Sequence, residues 1–199
     1  MALSTYADLQ TAMTSWLGNS LNSANYPDMI NLFEASACRR LRVRRMVATT
    51  TLTPSSGSAT LPTDYLGWIR ATVQSSPVGD LDYCHPSYLQ AIIPSTIANT
   101  PSFFTIEGGS LVTRSTDTTG IEFVYYQKTA AVSGTLNWLF TNHPDAYLFG
   151  SLCEAEAFGV NDERAALWKT RCEQVFQEIE RLDFRERGPM AIRIVGAHP

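Results

Sequence analysis

Apolar residues recur at helical spacing near both ends of the chain and give way to β-branched, alternating stretches in the middle. Over residues 5–18, Tyr6, Leu9, Met13, Trp16 and Leu17 share one face. Thr5 and Asp8 stand before them in capping-box positions, so a helix is expected there. Gly18-Asn19 stops it, and "NSLNSAN" reads as a loop. A second helix is expected from "NYPD" at 25–28, with Ile30, Phe33, Ala37 and Leu41 on one face. Helical patterns return at 142–159 and 161–185. In the last of these, Ala165, Trp168, Cys172, Val175, Ile179 and Leu182 are spaced 3-4-3-4-3. That spacing is the seam of a helix packed lengthwise on a partner helix, within the same chain or in another subunit.

Between roughly 47 and 136 no long helical pattern occurs. "VATTTLT" is β-branched, "PSSGS" is a turn, and "GWIRATVQ" and "IEFVYYQ" are strand-like. "SFFTIEGGSLVTR" predicts a hairpin turning at Gly108-Gly109, and "HPSYLQAII" a short helical connector. The expected fold is therefore α+β: a helical bundle from the N- and C-terminal helices with an inserted antiparallel β-rich domain. Residues 1–46 and 137–187 are assigned to a discontinuous helical domain, 47–136 to the β-rich insertion and 188–199 to a C-terminal arm. A length of 199 residues, 44% of them hydrophobic and 17% charged, gives such a chain a real core and excludes a disordered one.

The stretch "TNHPDAYLFGSLCEAEAF" at 141–158 gathers His143, Asp145, Cys153, Glu154 and Glu156. With Asn142 taken as the N-cap, Pro144 removes a donor that has no partner in a first turn, and Asp145 sits near the positive end of the helix dipole. "NYPD" repeats the logic, which favours capping over chemistry. At about 100° per residue Glu154 and Glu156 point some 200° apart. His143 lies roughly 16 Å along the axis from Glu154. One helix cannot make these groups converge.

Catalytic signatures are missing elsewhere too. The chain has no HExxH, GxSxG, P-loop or GxGxxG pattern. Paired carboxylates for glycoside hydrolysis would have to come from dispersed positions such as Asp64, Glu107 and Glu122. The cysteines, at 38, 84, 153 and 172, form no CxxC or zinc spacing and read as reduced thiols of a protein made in a cytosol. No cofactor, metal or catalytic residue is expected, nor a signal peptide or membrane span.

Charge adds one conspicuous feature. The net charge is −4, yet five of the 15 basic residues, Arg39, Arg40, Arg42, Arg44 and Arg45, fall in "RRLRVRR". If the second helix runs on through them, Arg39, Arg42 and Arg45 spread over one side and Arg40 and Arg44 over another. Three roles are open: a solvated helix end, ion pairs to an acidic neighbour, or phosphate contacts. Glu173, Glu178, Glu180, Asp183 and Glu186 offer acidic partners in the same chain or the next. After a Gly-Pro break, Ile192, Arg193, Ile194 and Val195 make a strand-forming tail with nothing local to pair with. The tail is a disordered end or an arm that adds to a neighbour's surface.

Taken in succession, "TYADLQTAMTSWL", "YPDMINLFEASACRRLRVRRM", "LPTDYLGW", "PSFFTIEGGSLV", "IEFVYYQKTAAVS", "NWLFTNHPDAYLFGSLCEA" and "DERAALWKTRCEQ" resemble the head-to-tail adaptor (head-completion or connector) proteins of tailed bacteriophages, especially the short-tailed kind. The resemblance covers nearly the whole chain to about residue 180. It implies a non-enzymatic virion protein of the head-tail neck, assembled in the host cytoplasm. It also implies a ring of about twelve copies beneath the portal protein, which docks tail or nozzle proteins. Duplex DNA would pass through its channel without sequence-specific binding. The arginine run and the 192–195 arm are the candidate assembly surfaces, and no membrane contact is implied. The competing functions are a virion-associated cell-wall hydrolase, which needs a converging polar site, and a DNA-binding protein, which should be basic.

Overall fold

Thr5 opens the first helix by the reciprocal bonds its sequence predicts. Its side chain accepts from the Asp8 amide while the Asp8 carboxylate accepts from the Thr5 amide. A computed structural model of the chain describes residues 3–18, 22–75, 79–95 and 97–186. Its helices are α1 (Tyr6–Leu17), α2 (Tyr26–Arg40), α3 (Pro86–Ile92), α4 (Trp138–Asn142), α5 (Pro144–Phe158) and α6 (Asp162–Glu186). Its strands are β1 (Val47–Leu52), β2 (Ser58–Thr60), β3 (Tyr65–Val73), β4 (Gly79–Asp80), β5 (Asp82–Tyr83), β6 (Phe103–Glu107), β7 (Ser110–Val112) and β8 (Ile121–Gln127). The fold is α+β, with two compact units. One comprises the chain up to Arg45 and from Thr129; the other is Met46–Lys128.

In the helical unit α5 is the central element, packed by α1, α2, α4 and α6. Its sequence explains why. Buried residues occur all around it (Ala146, Tyr147, Leu148, Gly150, Ser151, Leu152, Ala155), as befits a helix with neighbours on several sides. Gly150 sits where any Cβ would lie 1.9 Å from the Phe33 ring of α2, so the absent side chain sets how closely these helices approach.

The β unit has two four-stranded sheets, ordered β1-β8-β3-β4 and β2-β7-β6-β5. All pairings are antiparallel except β5 with β6. Leu52, Ala71, Ile121 and Phe123 from the first sheet share a core with Ala59, Phe104 and Leu111 from the second. Period-two alternation assigns the faces: Phe104 and Leu111 point into that core, while Phe103 and Val112 pack under Leu89 and Ile93 of α3 and the segment after it. At the β6–β7 turn, Gly108 and Gly109 have φ of 55° and 77°, the left-handed pair a tight hairpin requires.

Three sequence expectations are corrected. Asn142 does not cap α5; it is the last residue of α4, and His143 takes the N-cap position without a side-chain hydrogen bond. Pro144 is therefore at N1, the position its fixed φ and missing N–H suit best. Asn25 likewise stands at the N-cap of α2 but adopts αR geometry and makes no cap bond, while Asn22 caps the short 3-10 turn before it. The second helix also does not run through the arginines. It ends at Arg40, and Leu41 is extended with φ −87° and ψ 138°. Leu41 and Val43 are both buried, so the inward period has switched from helical to two. Finally, Leu182 is 50% exposed and does not join the α6 seam; Asp183, 8% exposed, turns inward in its place.

Candidate functional site

The arginine run divides by geometry into three roles. Arg40, at the end of α2, reaches across to α6 and makes ion pairs with Glu173 (2.8 Å) and with Glu180. These two carboxylates, Glu180 foremost, raise the Arg40 pKa further above its already high ordinary value. Arg42 turns back and donates to the carbonyls of Cys38 and Leu41, each at 2.6 Å, closing the C-terminal turn of α2. Arg44 meets Asp183, whose Oδ1 accepts from both the Arg44 amide (2.9 Å) and Nε (3.1 Å). Arg39 and Arg45 are exposed and form no ion pair with any described residue. Arg40 thus braces α2 against α6 and Arg44 ties the segment after α2 to α6, while Arg39 and Arg45 stand outside these ion pairs. Residues 192–195 lie outside the described residues.

Sequence reasoning found the acidic partners on α6 but missed what Asp183 does. The signal was available, because Asp183 continues the Trp168, Cys172, Val175, Ile179 stripe at helical spacing. A carboxylate at the end of an apolar stripe needs a donor, and the Arg44 amide, at the start of a short 3-10 turn (Arg44–Met46), supplies it.

A second polar assembly was not foreseen. Glu34 of α2 accepts through Oε1 from the Val132 amide (2.7 Å) and the Tyr147 hydroxyl (2.9 Å). Asn137 donates to that same hydroxyl and to the Ala130 carbonyl, both at 2.6 Å, and caps α4 by accepting from the Phe140 amide. The lock ties the segment entering the helical unit after Thr129 to α2 and α5. Burial, foremost, raises the Tyr147 pKa far above its ordinary value, so the phenol stays protonated and donates to Glu34. A third assembly joins the turn between α5 and α6 to α1. Buried Glu156 pairs with Arg164 at 2.9 Å, and Arg164 donates to the Trp16 carbonyl at 3.0 Å.

A groove of about 480 Å³ lies between α2, α5 and α6. Phe33, Gly150, Cys153, Ala165 and Cys172 contribute its apolar lining, and Arg40, Glu154, Lys169 and Glu173 its polar lining. Burial pushes the Cys172 thiol up to about 12 and raises that of Cys153, which keeps both as poor nucleophiles at neutral pH. His143 lies in a separate cavity beside Trp138 and Arg45; its pKa is lowered, chiefly by burial.

Asp64 and Glu122 do not come together. Glu122 and Tyr125 point to opposite faces of β8; Glu122 pairs with Arg70, whereas Asp64 accepts from the Tyr125 hydroxyl. Asp64 lies beside the Gln127 end of the strand, about 16 Å along it from Glu122. Among the described residues no group of three or more His, Cys, Asp or Glu side chains could hold a metal ion. No helix among them is long and apolar enough to cross a membrane.

The chain belongs to the SU10 adaptor protein family, whose sequence profile matches residues 4–193. It is accordingly a phage adaptor, a structural part of the virion that works through contacts with other virion proteins. No curated protein matches it.

Proposed function

We propose that the protein is a ring adaptor of the short-tailed type, about twelve copies of which sit under the portal, extend the DNA channel and dock tail proteins. The observation that carries this reading is the family match over residues 4–193, which takes in both the helical unit and the β unit. Closed rings form when two different surfaces of one subunit meet head to tail. Arg39 and Arg45, the two exposed arginines of the run outside its ion pairs, are candidates for one such surface and acidic residues of the next copy for the other. With −4 per copy, such a ring presents a predominantly acidic body, which lets duplex DNA pass without adhering. Assembly in the host cytoplasm fits the four free thiols.

The test is to mix the purified protein with its portal and image the product. Rings of about twelve subunits beneath the portal are expected. A protein that stays monomeric and never co-sediments with portal overturns the reading. The double reversal Arg39→Glu/Arg45→Glu should weaken attachment while leaving the monomer folded. Tight, salt-sensitive duplex binding by the monomer, lost in that reversal, would instead assign the arginines to phosphate.

A further inference from the structure

We infer that the outer edge of β1 is an acceptor for the C-terminal strand-forming segment, residues 191–195, of an adjacent copy, so that neighbouring subunits are joined by strand addition. The inference rests on the ring reading and specifies one of its contacts.

The acceptor is an edge without protection. β1 is terminal in the sheet order β1-β8-β3-β4, and all six of its residues pair with β8 on the inner side without a register shift. No described strand pairs with its other side, and no backbone hydrogen bond links that side to any described residue. Alternate residues there present free N–H and C=O groups. Soluble proteins normally blunt such an edge with a charged residue, a proline, a bulge or a very short strand. β1 has none of these. From Val47 to Pro62 the sequence contains no Asp, Glu, Lys or Arg, and within the strand no proline. An edge this long and uncharged is an aggregation hazard unless something covers it.

The donor is the complementary piece of the same chain. "AIRIV" at 191–195 is the one strand-forming stretch of the sequence beyond α6. Its length suits a six-residue edge. Pro189 precedes it and Gly196 follows, so the sequence delimits it on both sides. Its alternation also fits the acceptor. Ile192 and Ile194 share one face, as Ala48, Thr50 and Leu52 do on the core-facing side of β1. Arg193 falls on the other face, in line with the exposed Val47, Thr49 and Thr51. Main-chain bonds would supply affinity and the isoleucines register, the usual division in strand addition.

Donor and acceptor belong to different elements of one chain, which is what a head-to-tail ring needs: each copy gives one strand and receives one. The tether is short. From Glu186 to Ala191 the chain takes five steps, at most about 18 Å at roughly 3.6 Å per residue, so the acceptor edge must lie close to the end of a neighbour's α6.

The test uses the full chain assembled on portal rings. Amide hydrogen exchange across Val47–Leu52 should slow at least about tenfold on assembly. The variant Ile192→Asp/Ile194→Asp should return it to the unassembled rate. To identify whose tail is bound, a Thr49→Cys chain is mixed with an Arg193→Cys chain before oxidation. A covalent pair of the two is expected, and a ladder from the doubly substituted chain. A doubly substituted chain that closes only on itself overturns the exchange between copies. Rings that form on the portal while Val47–Leu52 exchange as freely as before overturn the strand addition and leave the ring reading standing. A chain that never assembles overturns both.

Discussion

Asn137→Ala is the most informative single substitution in the helical unit, because it separates two neighbouring asparagines that look equivalent in sequence. Asn137 is buried, and its Oδ1 accepts from the Phe140 amide at 2.9 Å; losing that N-cap costs about 1 kcal/mol. Its Nδ2 donates to the Tyr147 hydroxyl, which is 1% exposed and so gains no water in compensation; that loss adds about 1 kcal/mol. The other acceptor, the carbonyl of Ala130, belongs to an exposed residue and rehydrates, adding little. The expected destabilisation is about 2 kcal/mol, against less than about 0.5 kcal/mol for Asn142→Ala, which removes an exposed side chain at the end of α4. Asn137→Ser, which keeps a capping oxygen but cannot reach Tyr147, should recover about half of the loss. Urea denaturation followed by far-UV circular dichroism, compared at equal m-value, measures all three. Equal effects at 137 and 142, or a larger one at 142, would refute the assignment of the cap and the lock.

Gly150→Ala should destabilise by about 1–3 kcal/mol, since the new methyl would sit 1.9 Å from the Phe33 ring; Phe33→Leu in the same chain should recover part of it in a double-mutant cycle. Asp183→Ala should cost about 1–3 kcal/mol by removing the acceptor of the Arg44 amide, whereas Arg40→Ala, whose ion pairs are more than a third exposed, should cost under about 1 kcal/mol in the same denaturation assay. His143 carries a depressed pKa, so the folded chain binds its proton less readily than the unfolded chain, whose value is about 6.5. Its contribution is therefore complete above that pH and is lost as pH falls through it. Melting temperature should decline between about pH 7 and 5, and His143→Gln should flatten that decline; an unchanged slope would refute the burial argument. Deleting residues 188–199 should leave the melting temperature of the monomer unchanged and weaken attachment to portal rings, read by co-sedimentation.

What the sequence determined by itself was the local chemistry. The α1 capping box, the Gly108-Gly109 hairpin and the separation of terminal helices from central strands all rest on residues within a few positions of one another. Their φ preferences and short-range hydrogen bonds act before any tertiary contact forms. The partner of each long polar side chain was decided elsewhere. Asn137 caps α4, held there by Tyr147 and, through it, by Glu34 of α2, 113 positions from Tyr147, while Asn142 became the last residue of α4 instead of a cap. The arginine run left the helical path because Leu41 and Val43 had to be buried at a two-residue period, which turned Arg44 toward Asp183, 139 positions away. Leu182 lost its place in the seam to that aspartate for the same reason. A helical stripe fixes which residues face inward only to within one position. The free energy of satisfying a buried carboxylate, which depends on what the opposite element offers, makes the final choice.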